Sequence, residues 1–98
     1  MKISINSVKF KADKRLEDFV QEKVAKLASN YENLISTEVT LRLDNSADQQ
    51  NKIAEIKLNL PGNDLFAKKQ CATFEEATDS AIDALRKQLV KHKEKIRA

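Results

Sequence analysis

Apolar residues recur along this chain in two periods, and the switches between them mark six elements. Residues 2–7 alternate Ile3 and Ile5 with polar neighbours, the period-two signature of a short strand. Asp13 stands where an N-cap is needed, and a helix is predicted from there to about residue 30. Leu16, Val20, Val24, Leu27 and Tyr31 make one face of it, Phe19 lies beside that face, and Asn30 and Asn33 bracket its exit. Residues 37–44 alternate strictly, with Val39, Leu41 and Leu43 facing one way and Glu38, Thr40, Arg42 and Asp44 the other. Residues 45–51 are all small or polar and read as an exposed loop. Residues 52–60 alternate again, Ala54, Ile56, Leu58 and Leu60 against Ile53, Glu55, Lys57 and Asn59. Pro61-Gly62-Asn63-Asp64 is a turn signal, so the weaker strand pattern over 65–71 should return antiparallel.

Thr73 and Glu76 have the spacing of a capping box. A long helix is predicted from there towards Ile96, with Phe74, Thr78, Ala81, Ile82, Leu85, Leu89, His92 and Ile96 on one stripe. The order β-α-β-β-β-α, with strands written half for water, predicts an α+β fold. Its four-stranded, largely antiparallel sheet carries both helices on one face, a shape shared with double-stranded-RNA-binding domains.

Composition narrows the class. The chain has 98 residues, 41% hydrophobic and 34% charged, enough for one modest core and no second one. Cys71 is the single cysteine, which excludes an internal disulfide framework. No stretch reaches the ~18 apolar residues of a membrane span, and the first residues turn polar too early for a signal-peptide core. A reduced, cytoplasmic single domain is the expectation.

The charge is uneven. Residues 86–97 hold six bases (Arg86, Lys87, Lys91, Lys93, Lys95, Arg97) and one acid, Glu94, a net of +5 against −2 for the remainder. On a helical wheel Arg86, Lys93 and Arg97 line one flank of the last helix and Lys87, Lys91 and Lys95 the other, so its solvent side reads as basic almost all round. Lys23 and Lys26 share a flank of the first helix and would extend the patch if the helices lie side by side. Macrodipole complementarity accounts for two or three of the six bases. The pattern leaves open a nucleic-acid surface, a solvated helix face and a face for an acidic protein. The five aromatics (Phe10, Phe19, Tyr31, Phe66, Phe74) fall mostly at core-like positions, which favours phosphates of folded RNA over stacked single-stranded bases.

Catalytic and metal chemistry find few residues. His92 is the single histidine and reads first as a rim residue over the core. With one His and one Cys there is no ligand set for a metal site. Gly62 is the only glycine, so no phosphate-cradling loop exists. Glu75 and Glu76 are explained by helix capping. Neither an enzyme nor a cofactor or metal is expected.

Leu16-Glu17-Asp18-Phe19-Val20, Lys23 and Ala25-Lys26-Leu27, with the later run Gln88-Leu89-Val90-Lys91-His92-Lys93-Glu94-Lys95, resemble the short bacterial ribosome hibernation-promoting factors and the related ribosome-associated inhibitor. The likeness runs without an evident gap over residues 13–44 and from 73 to the end, and the order β-α-β-β-β-α is that family's own. It implies a single ribosome-binding domain over residues 1–98. Such a domain sits on the small ribosomal subunit between head and body, where mRNA and the A- and P-site tRNAs would lie, and inhibits translation by occlusion during stress or stationary phase. It further implies rRNA contacts by Lys23, Lys26, Lys87, Lys91, His92, Lys93 and Lys95, with Arg86 and Arg97 as secondary contacts.

Two departures stand out. The tyrosine that relatives often carry entering the second helix is replaced within Thr73-Phe74-Glu75, and the glycine common after the first strand is replaced around Ser7-Val8. A chain ending at Ala98 would lack the C-terminal domain of long-form relatives and the inhibitor's tail, so ribosome dimerisation would need a separate factor. A general double-stranded RNA binder without ribosome specificity is the alternative reading.

Overall fold

The computed structural model describes the backbone of residues 2–29, 31, 34–44 and 50–97, and their side chains as far as residue 91. The elements are β1 (Lys2–Val8), α1 (Lys14–Ala28), β2 (Ser36–Leu43), β3 (Lys52–Leu60), β4 (Asn63–Cys71) and α2 (Phe74–Arg97). Their order is the predicted one. The four strands form one sheet in the order β1-β2-β3-β4. β1 pairs with β2 in parallel, as a strand–helix–strand crossover requires, and the two remaining pairs are antiparallel.

Each helix starts on the cap its sequence supplies. Asp13 accepts a hydrogen bond from the Leu16 N–H at 2.8 Å, and Thr73 Oγ1 accepts one from the Glu76 N–H at 3.1 Å. α1 stops at Ala28, short of the predicted exit, because the Ser29 N–H closes on the Ala25 carbonyl and the Ser29 hydroxyl on that of Lys26. Tyr31 therefore lies beyond the helix, half-buried against the core; Asn30 and Asn33 lie outside the described residues. The same holds for 45–49 of the predicted loop, whose ends are tied where the Asp44 N–H meets the Asn51 carbonyl at 2.8 Å. The turn after β3 is tighter than the four-residue signal suggested. Leu60 pairs with Asn63, leaving Pro61 and Gly62 at the tip, and Gly62 takes the positive φ of 77° that such a turn needs.

The core lies between the helices and one face of the sheet. Val39 and Leu41 of β2, with Ala54, Ile56 and Leu58 of β3, are fully buried there. Val20, Val24 and Leu27 of α1 and Ala77, Ala81 and Leu85 of α2 close over them. Each such Leu or Val contributes about 1.5–3 kcal/mol by burial. The α1 and α2 faces are the ones their apolar spacing predicted. His92 and Ile96 of the predicted stripe have side chains outside the described set.

The opposite sheet face is polar and held by cross-strand pairs. Arg42 meets Glu55 at 3.4 Å, Lys57 meets Asp64 at 3.6 Å, and the Asn59 amide donates to Ser36 Oγ at 2.6 Å. Two positions break the alternation rule. Ile53, assigned to the water side, is only 5% exposed, because Arg42 and Gln70 flank it in register on the neighbouring strands. Phe66 goes the other way: it is an aromatic on the outer face and 51% exposed.

Two sites carry avoidable cost. Thr78 is wholly buried and its hydroxyl has no hydrogen-bond partner among the described residues. Lys9, at the end of β1, holds φ at 68°, so the left-handed residue of this turn is a lysine rather than a glycine. Thr78→Val should raise stability by about 1 kcal/mol, since it replaces an unsatisfied hydroxyl by a methyl of the same shape. Lys9→Gly should add up to about 1 kcal/mol by relieving the left-handed conformation, net of the chain entropy glycine brings. Urea unfolding midpoints at constant m-value check both, and a midpoint lowered in either variant counts against its account.

Candidate nucleic-acid interface

α2 presents its cations on either side of a buried stripe. With Leu85 and Leu89 packed inward, Arg86 falls on the flank nearer α1, while Lys87 and Lys91 fall on the flank nearer β4. All three are exposed. His92, Lys93, Lys95 and Arg97 stand on the helical backbone, but their side chains lie outside the described set. The helix therefore extends through all the predicted cations, and the described ones are free of any packing duty.

α1 and α2 do lie side by side, yet the groove between them is not uniformly basic. Lys23 reaches Asp79 of α2 at 3.7 Å and lies 5.5 Å from the centroid of the Phe19 ring. Between Lys23 and Arg86 the groove is lined by Asp79, Ser80, Ile82 and Asp83. Lys87 in turn sits 3.9 Å from Asp83, one turn back. The two aspartates that suit the start of the helix thus interleave with Lys23, Arg86 and Lys87, and the groove between the helices is charge-compensated. Lys26 is exposed on the outer side of α1.

A second hollow lies where both helices begin. Phe10 stacks on Phe74 with centroids 4.4 Å apart and planes 12° from parallel, so the turn after β1 and the start of α2 hold one another. Leu16 and Phe19 complete its apolar floor. Lys11 and Arg15 on its rim are matched by Asp13 and Glu75, so it carries no net charge. Phe74 is buried, and its ring is spent on packing against Phe10.

One pair of cations escaped the sequence reading. Lys68 and Lys69 are both exposed on β4, a strand with β3 on one side and, among the described residues, no strand on the other. Their signal in the sequence is the adjacent Lys68-Lys69 pair, which weakens the alternation over 65–71.

Residues 3–97 match the family described as Sigma 54 modulation protein / S30EA ribosomal protein. Among curated relatives, a protein of Pseudomonas putida named ribosome hibernation promoting factor is 30% identical over 95 residues, covering 97% of this chain and 89% of that one. The N-terminal domain of Protein Y from Thermus thermophilus has a similar structure, with a TM-score of 0.77 and 26% identity over 94% of this chain and 99% of that one. A ribosomal subunit interface protein of Coxiella burnetii has a TM-score of 0.83 over 95% and 98% of the two chains; at 17% identity that likeness speaks to the fold.

Lys23 and Asp79 are 43% and 55% exposed, and such pairs are worth little. A double-mutant cycle with Lys23→Ala and Asp79→Ala should give a coupling below about 1 kcal/mol in thermal or urea unfolding. A coupling of twice that would mean Lys23 is committed to holding the helices together and is unavailable to an anion.

Proposed function

The chain belongs to the Sigma 54 modulation protein / S30EA ribosomal protein family, and on that premise we propose that it is a cytoplasmic ribosome hibernation factor. In this reading it binds the small ribosomal subunit in the cleft that mRNA and the A- and P-site tRNAs would enter, and it inhibits translation by filling that space. The observation that carries the reading is the arrangement of α2. One long helix spends its apolar stripe on the core and leaves Arg86, Lys87 and Lys91 exposed on both flanks. His92, Lys93, Lys95 and Arg97 continue the same helix, and Lys23 and Lys26 add cations from α1.

Occlusion asks for no bond to be made or broken. It asks for a rigid body of suitable shape whose cations replace the counterions on rRNA phosphates. The fold supplies the rigidity, because α2 is anchored on the sheet along its first four turns by Phe74, Ala77, Ala81, Leu85 and Leu89. Lys23 must exchange Asp79 for a phosphate on binding, which the weakness of an exposed pair permits.

Co-sedimentation with vacant small subunits tests the reading, at low and moderate salt and with initiator tRNA as competitor. Binding should fall steeply with salt and be displaced by tRNA. The triple variant Lys87→Glu, Lys91→Glu, Lys95→Glu should lose at least tenfold in binding with its unfolding midpoint within a few degrees of the parent. Binding that tRNA leaves untouched, or a triple variant that inhibits translation like the parent, would overturn the site. Equal binding to an unrelated RNA duplex would favour the general RNA binder.

A further inference from the structure

We infer that the seam between α2 and the free edge of β4 is a second phosphate-binding track, formed by Lys69 of β4 with Lys87 and Lys91 of α2 and continued round the strand's edge by Lys68, and that its occupant is a phosphodiester strand of RNA. The inference rests on the reading of the chain as an RNA-binding ribosome factor and adds to it two residues and a direction.

Two contacts fix how α2 lies on β4. Near its start the Ser80 hydroxyl is 4.0 Å from the Cys71 sulfur, and two turns later the Gln88 amide donates to the Phe66 carbonyl at 3.0 Å. The helix therefore runs back along the strand, and residues 80–88 pass over residues 71–66. Ala84, Lys87 and Lys91 share the flank of Ser80 and Gln88. Lys68 and Lys69 fall on the stretch of β4 between the two contacts.

Strand geometry then sets the lysines astride the edge. Ala67, paired with buried Ile56, points to the core, so Lys69 lies on the helix side and Lys68 on the outer side. Lys87 and Lys91 stand one turn apart, about 6 Å along the axis. Lys69, Lys87 and Lys91 thus border one seam, the Gln88 bond ties the two elements there, and Lys68 stands on the outer sheet face of the same edge, in register with Glu55.

The charge balance separates this seam from the groove on the other side of α2. There Lys23 and Arg86 share their space with Asp79 and Asp83. Here, among the described residues, the one carboxylate in ion-pair contact with any of the four lysines is Asp83, 3.9 Å from Lys87 with both side chains more than two-thirds exposed. Lysine on a free edge also discourages strand addition. A single lysine does that; Lys69 beside Lys87 and Lys91 across a hydrogen-bonded seam, with Lys68 round the edge, makes a track suited to a polyanion.

The test compares the full chain with Lys68→Gln/Lys69→Gln and with a control pair at the other end of α2, Lys11→Gln/Lys14→Gln. Each is titrated over a salt series against vacant small subunits and against a short RNA duplex. The seam variant should bind whichever RNA the parent binds about tenfold more weakly at moderate salt. Its log–log salt slope should be shallower by one to two, as expected when one or two phosphate contacts are lost. The control should change less than threefold, and all unfolding midpoints should agree within a few degrees. A seam variant with the parent's slope, or a loss equal to the control's, overturns the track. If the parent binds the duplex but not the subunits, the ribosome reading fails while the seam is still judged on the duplex; if it binds neither, both fall.

Discussion

The apolar inner face of β2 and β3 takes most of its cover from the two helices, and most of the molecule follows from that dependence. Val39, Leu41, Ala54, Ile56 and Leu58 are sealed with α1 and α2 packed over the sheet on one side. Ala77 and Ala81 let α2 approach the sheet closely, and Leu85 and Leu89 fill the space further along. Both helices on one face means that each has one side spent and the other turned to solvent. The helices' cations lie on those outward sides, a geometric by-product of one-sided packing.

Along α2 the charges are also sorted by position. Glu75 and Glu76 occupy the first turn, Asp79 and Asp83 follow, and bases take over from Arg86 onward. This order suits the macrodipole at both ends. It also divides the helix into an acidic half, whose Asp79 meets Lys23 of α1, and a basic half beyond it. The crossing point lies at Asp83 and Lys87, which meet at 3.9 Å.

Most of the fold was legible because its signals are local. The caps at Asp13 and Thr73, the alternation of β2 and β3 and the stripes of α1 and α2 each depend on residues within one element. What escaped depends on neighbours distant in sequence. Ile53 reads as a water-facing position until Arg42 and Gln70 are known to flank it, and Phe66 reads as core until the register of β4 places it outside. The turn after β1 was flagged by a missing glycine near Ser7-Val8, but the residue that bears the left-handed φ is Lys9. In the candidate interface, a helical wheel located Arg86, Lys87 and Lys91 correctly on exposed flanks. It could not show that Asp79 takes hold of Lys23, because that pair joins two helices, nor that Lys68 and Lys69 stand beside α2.

The parallel pairing of β1 with β2 has a kinetic side. Lys2 meets Ser36 across the whole of α1, whereas β2, β3 and β4 follow one another as hairpins, the second closed by only Pro61 and Gly62. Closing the shorter loops costs less chain entropy than closing the long crossover. The three-strand meander with α2 is thus the cheap nucleus, and β1 is the strand that must wait. Until it docks, β2 keeps a bare edge, so the vulnerable interval in the life of this chain falls before its first strand comes home.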